Sequence, residues 1–168
     1  EWATMTSNTI PLQTHGPGHM QRIAATLVAQ LGAGSILALV GPLGAGKTTF
    51  VQGAATALHT QQPFRVKSPT YALWTPYPTE PVLHHMDFYR LSDEDEALAM
   101  GLHEALADET AIACVEWADR CPSLFPASSI WLQFPENPEN ERLLTIRLPI
   151  GTPANAIKAL KSVLSSVE

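Results

Sequence analysis

The run Ile36-Leu37-Ala38-Leu39-Val40-Gly41-Pro42-Leu43-Gly44-Ala45-Gly46-Lys47-Thr48-Thr49-Phe50 decides how this chain folds. Its first five residues are apolar without alternation, as a strand covered on both faces requires. The next eight fit the pattern G-x-x-x-x-G-K-[ST]. From Lys47 to Leu58 no helix breaker occurs except Gly53, so a helix follows the loop. Glycines permit a turn whose successive N–H groups face one anion, and the helix adds its positive dipole end. The Lys47 ammonium can bridge the β- and γ-phosphates of a nucleotide, and the Thr48 hydroxyl can ligate Mg²⁺. Strand, loop and helix in that order separate this reading from an incidental glycine turn. The loop is therefore read as a site for ATP or ADP with Mg²⁺, formed by Gly41, Leu43, Gly44, Ala45, Gly46, Lys47, Thr48 and Thr49.

Around the loop lies the composition of an ordinary globular protein. The chain has 168 residues, 45% hydrophobic and 15% charged, enough for one domain with a sizeable core. No apolar run is long enough to span a bilayer and no stretch reads as a signal peptide, so no membrane partner and a cytoplasmic location are expected. Cys114 and Cys121 lack metal-ligand spacing, and one bridge would be slim support for a secreted scaffold. A net charge of −6 argues against strong independent nucleic-acid binding, although Arg65 and Lys67 lie close together. Residues 1–10 are expected to be a disordered or added lead-in, and residues 11–168 a single P-loop ATPase domain.

Met20, Ile23, Ala24, Leu27 and Leu31 recur at helical spacing after a turn-rich Pro11–Gly18. Ser68-Pro69 interrupts the extended stretch Phe64–Trp74, and prolines 76, 78 and 81 mark an irregular loop. Val82–Tyr89 and Ala111–Val115 read as strands, with a helix from Ser92 to Ala99 capped by Ser92. Ile130–Phe134 and Leu143–Leu148 read as an antiparallel pair. Ile157, Leu160, Leu164 and Val167 form one face of a final helix. These elements predict an α/β fold: a P-loop NTPase-like mixed sheet, parallel around the phosphate loop, with added antiparallel strands and flanking helices.

A phosphate loop needs a carboxylate to hold the magnesium shell or orient the attacking water, placed at the C-terminal end of a neighbouring strand. Glu116 ends the apolar run Ala111–Val115. Asp87 sits late in Val82–Tyr89, on the same face as His85 and Tyr89. Sequence leaves open which acid holds the metal and which positions water, and a solvated carboxylate is the bland alternative for each. Ser68-Pro69-Thr70 reads either as an ordinary proline turn or as a segment whose hydroxyl senses the γ-phosphate.

The motifs together resemble the TsaE family, small bacterial P-loop ATPases of tRNA threonylcarbamoyladenosine biosynthesis. Leu43 to Phe50 with Gly53 is similar to the family's extended phosphate loop. Val66 to Tyr71 resembles its Ser-Pro-Thr segment, His85 to Leu91 its His-x-Asp-x-Tyr-Arg-Leu motif, and Glu116-Trp117 its Glu-Trp pair. The resemblance implies Lys47, Thr70, Asp87 and Glu116 as catalytic residues. It implies Thr48, Asp87 and Glu116 as metal ligands, and Trp117 near the nucleotide. It also implies ATP hydrolysis coupled to the partner proteins TsaB and TsaD, with tRNA met through that complex, and weak activity alone. Arg90 is a candidate arginine finger. Pro42 departs from the acidic residue usual in the family's loop, and the helix around Met20 lacks an expected threonine. A small-molecule kinase and a non-hydrolytic nucleotide-gated module are the competing readings, although no basic lid segment is visible among ten Lys and Arg residues.

Overall fold

The apolar strand Ile36–Val40 sits in the middle of a seven-stranded sheet in the computed structural model, which describes residues 8–168. In chain order the strands are β1 (Thr9–Gln13), β2 (Ile36–Val40), β3 (His59–Thr60), β4 (Trp74–Tyr77), β5 (Thr79–Glu80), β6 (Leu83–Asp87), β7 (Ile112–Glu116), β8 (Ile130–Gln133) and β9 (Leu143–Arg147). The helices are α1 (Pro17–Ala29), α2 (Lys47–Thr56), α3 (Glu94–Ala99), α4 (Leu102–Leu106) and α5 (Ala154–Ser165). The main sheet runs β1-β9-β8-β2-β7-β6-β4, and β3 pairs with β5 apart from it. Strands β8, β2, β7 and β6 are parallel; β4 joins β6, β9 joins β8 and β1 joins β9 antiparallel. The expected mixed sheet with a parallel centre is thus the one observed.

Alternation along β2 divides the core in two. Leu37 and Leu39 pack with Ile23 and Leu27 of α1 and Phe50 and Val51 of α2. Ile36, Ala38 and Val40 pack with Met86, Phe88, Leu102 and Leu106 on the other face. Every β2 residue is buried, as its unbroken apolar run requires. Ile157, Leu160 and Val167 pack partly buried against the first cluster, around fully enclosed Leu164. No helix among the described residues is long and apolar enough to cross a membrane. Cys114 and Cys121 are buried free thiols, and burial raises the pKa of each.

Several local expectations differ from the structure. The lead-in assigned to residues 1–10 overlaps β1, where Thr9 and Ile10 pair with Arg147 and Ile146; residues 1–7 lie outside the described residues. The turn-rich Pro11–Gly18 holds the end of that strand and the start of α1, with Pro17 at its first turn. The proline-marked loop contains β4 and β5. Pro76 is tolerated because β4 is an edge strand, where a missing N–H breaks no inner ladder. The cap of α3 is Asp93, not Ser92: its carboxylate accepts from Glu96 N–H at 2.9 Å, while Ser92 N–H donates to the Glu96 carboxylate. Helix α4 was not expected, because five residues are too few to display a period.

Gly53 sets the spacing of α1 and α2. A Cβ there would lie 2.3–2.7 Å from the backbone O, Cα and C of Gln21. Gly53→Ala therefore forces the helices apart and costs about 3 kcal/mol in urea unfolding; an unchanged midpoint would contradict this contact. At the far end of the sheet, Trp74 Nε1–H donates to His84 Nδ1 at 3.0 Å, and His84 Nε2 meets Asp108 Oδ2 at 3.0 Å. Thr110 donates to Asp108 as well, and these donors hold its pKa down at about 2, against an ordinary 3.8. A depressed folded pKa gives stability that is present above the unfolded value and lost as pH falls through the folded one. Asp108→Asn should lower Tm near neutral pH, and its gap to the natural chain should close between 3.8 and about 2.

Candidate functional site

Three chain segments meet at the C-terminal ends of the parallel strands. Between β2 and α2 the loop turns tightly, with Gly41 at φ 155° and Gly46 at φ 107°. Gly41 admits no side chain: a Cβ would lie 2.7 Å from Cβ of Phe134, itself fully buried and edge-on to Phe50. Lys47, the first residue of α2, is 4% exposed and donates from Nζ to the carbonyls of Gly41 at 2.6 Å and Pro42 at 2.7 Å. Burial lowers the Lys47 pKa from its ordinary value, against the opposing pull of Glu116, Asp87 and Asp119.

Opposite the loop stand two carboxylates on neighbouring strands. Asp87 ends β6, Glu116 ends β7, and the two are paired in register. They are 2% and 3% exposed, so each needs donors to offset lost hydration. Thr48 Oγ1 lies 2.8 Å from Glu116 Oε1 and 3.1 Å from Oε2. His85 Nε2 lies 2.7 Å from Glu116 Oε2. Ser68 and Thr70 hydroxyls donate to Asp87 Oδ2 at 2.7 and 2.8 Å, and Tyr89 N–H donates to Oδ1 at 2.9 Å. Trp117, at a left-handed φ of 56°, places its ring centre 4.2 Å from Lys47 Nζ and 4.9 Å from the Tyr89 ring.

The result is a cleft of about 380 Å³ lined by Leu43, Gly44, Gly46, Lys47, Thr48, Thr49, Ser68, Thr70, Asp87, Tyr89, Glu116 and Trp117. Of the residues read from the sequence as binding, metal-holding or catalytic, Gly41 and Ala45 do not line it, and neither does the candidate finger Arg90. Gly41 contributes its carbonyl, and Ala45 packs into the core while bordering a second hollow beside the loop. Leu43 stands 83% exposed at the loop tip. Arg90 is not aimed into the cleft; its guanidinium stacks on Tyr71, 4.8 Å from the ring centre. Ser68, His85 and Tyr89 bond to the acids without having been given roles of their own. The period-2 alternation that put His85 beside Asp87 was the available signal.

The geometry limits the chemistry. Loop amides and Lys47 suit an anion, while Thr48, Glu116 and Asp87 form an all-oxygen set suited to a hard cation. No group of three or more His, Cys, Asp or Glu among the described residues can hold a metal by itself. A cation here would complete its shell with water and oxygens of the bound anion.

A glycine loop between the central parallel strand and the next helix, facing acids on neighbouring strands, defines a P-loop-like α/β protein. A crystal structure of Bacillus subtilis YdiB agrees with it at a TM-score of 0.69 and 27% identity, over 96% of this chain and 97% of that one. The model of the family "Threonylcarbamoyl adenosine biosynthesis protein TsaE" matches residues 14–144. The tRNA threonylcarbamoyladenosine biosynthesis protein TsaE of Bacillus subtilis is 34% identical over 134 residues, 79% of this chain and 82% of that protein. The protein of the same name from Treponema pallidum is 33% identical over 113 residues, 67% of this chain and 82% of its own. The chain belongs to the TsaE family.

Thr48→Val leaves the buried Glu116 short of one donor and should cost about 1–2 kcal/mol in urea unfolding, with Thr48→Ser costing less than half of that. Equal losses for the two variants would mean that the hydroxyl contact contributes nothing.

Proposed function

We propose that this chain binds ATP with Mg²⁺ between the loop Gly41–Thr48 and the Asp87–Glu116 pair, and hydrolyses it in the service of tRNA threonylcarbamoyladenosine synthesis. The observation that carries the reading is the Thr48 hydroxyl against Glu116, 2.8 Å apart, with Asp87 in register beside it. That pair of oxygens at the mouth of a phosphate loop is what a nucleotide-bound magnesium ion requires.

Each residue then has a task. Lys47 exchanges its two carbonyl contacts for the β- and γ-phosphates, and a charged phosphate offsets the burial that lowers its pKa. Thr48 and Glu116 hold the metal, with Asp87 completing the acidic side of the site. Bound Mg²⁺ withdraws charge from the phosphate oxygens and so eases cleavage of the γ-phosphate. Asp87, fixed by Ser68 and Thr70, orients the attacking water. Because Thr70 bonds to that same carboxylate, its hydroxyl can report whether the γ-phosphate is present. Trp117 and Tyr89 line the cleft beside Lys47 and would pack against the bound nucleotide. Arg90 points to Tyr71, so the cleft gains no arginine finger from it, and hydrolysis by the isolated chain is expected to be slow.

On this reading the protein partners are TsaB and TsaD, with tRNA reached through them. A chain of net charge −6 suits contact with tRNA through partners better than direct binding.

Reconstitution with TsaB, TsaD and tRNA tests the reading. Lys47→Ala should weaken ADP binding by about 2–3 kcal/mol, or roughly 30- to 150-fold in Kd. Asp87→Ala and Glu116→Ala should still bind nucleotide but lower ATP turnover at least about a hundredfold and fail to sustain modification. Full modification by both variants, or a phosphorylated small acceptor formed in step with ATP loss, would overturn it.

A further inference from the structure

Glu116 has a second contact, on the side away from the cleft. His85 is wholly enclosed within β6, and its Nε2 lies 2.7 Å from Glu116 Oε2. Thr48 approaches the other oxygen, Oε1, most closely. One carboxylate oxygen is thus fastened inside the protein while its partner faces the loop. An ionised carboxylate can only accept, so His85 must present N–H at Nε2. Its remaining nitrogen, Nδ1, lies 3.4 Å from the Tyr77 hydroxyl. That hydroxyl accepts from Lys67 N–H at 3.1 Å, and its one proton is shared between Lys67 O at 3.2 Å and His85 Nδ1. Lys67 immediately precedes Ser68, which with Thr70 grips Asp87.

We propose that His85 is a positioning residue: it sets the rotamer of Glu116 toward Thr48 and, through Tyr77, joins that setting to the backbone of the segment carrying Ser68 and Thr70. The two acids are then held from one segment by two routes, direct for Asp87 and through Tyr77 and His85 for Glu116. Outer partners of this kind fix the direction of a ligand whose own torsions would otherwise be free. The inference rests on the reading of Glu116 as a holder of the metal.

The test compares His85→Gln with His85→Asn in the full chain. The glutamine amide can reach Glu116 from the position of Nε2, while the asparagine amide falls short and matches Nδ1. Both place a neutral amide in the same buried space, and because asparagine is one methylene shorter, the unfolding midpoint of each is measured so that a packing loss is told apart from a loss of the Mg²⁺ response. Binding of a non-hydrolysable ATP analogue is measured with Mg²⁺ and with chelator, beside steady-state ATP turnover. For His85→Asn the expected result is a loss of about tenfold or more in both kcat and the Mg²⁺-dependent gain in affinity. Its affinity in chelator should be unchanged, and His85→Gln should recover most of both losses. Tyr77→Phe, which removes only the hydroxyl, should lower kcat in the same direction by a smaller factor with KM held. Equal behaviour of the Asn and Gln variants, or a natural Mg²⁺ response in His85→Asn, would overturn the proposal. Wild-type turnover reports separately on hydrolysis: were it absent, the Mg²⁺ response of analogue binding would still decide the role of His85.

Discussion

Two acids buried side by side at the ends of β6 and β7 are the constraint to which the surrounding structure answers. Like charges in register on adjacent strands repel, and removal from water raises the cost of each. Three separate parts of the chain offset that cost: Thr48 from the loop helix, His85 from within the sheet, and Ser68 with Thr70 from the segment before β4. The ammonium of Lys47 adds an opposing charge from across the cleft.

The parallel pairing of β2, β7 and β6 is what makes that convergence possible. In a parallel sheet all C-terminal strand ends lie on one side, so the loop leaving β2 and the acids ending its neighbours must share an edge. The antiparallel strands extend the sheet at its two edges. They give Tyr77, on β4, a place from which to reach both His85 and Lys67.

Much of this was legible in the sequence because local chemistry and the sheet's period agree there. The run Ile36–Val40, the glycine pattern after it and the acids closing two apolar strands each carry their own signal. The mixed sheet followed from them, as did the meeting of Lys47, Thr48, Asp87 and Glu116 in one cleft, whereas it took the family resemblance to place Thr70 and Trp117 there. What escaped depends on distant partners. Strand β1 exists because β9 pairs with it, and no residue of Thr9–Gln13 announces that. Pro76 argued against a strand until the edge position of β4 removed the objection. Asp93 took the cap that Ser92 was also suited to, a choice between adjacent residues that composition does not decide. The bonds from His85 to Glu116 and from Ser68 to Asp87 join residues 31 and 19 positions apart, and only the fold aligns them.

The close approach at Gly53 bears on how such a molecule can move. With Gln21 backbone where a side chain would be, α1 and α2 touch without an interposed layer that could shear. Helix α2, and with it Lys47 and Thr48 at its head, is bolted to the frame like a stator. Ser68–Thr70 belongs to no strand ladder and is held by hydroxyl contacts to Asp87 and by the Leu73 N–H on the Pro69 carbonyl at 2.6 Å, so under the proposed function any movement in the site falls to this segment. On that proposal the glycine loop is the fixed jaw of a vice, and the serine-proline-threonine segment the jaw that travels.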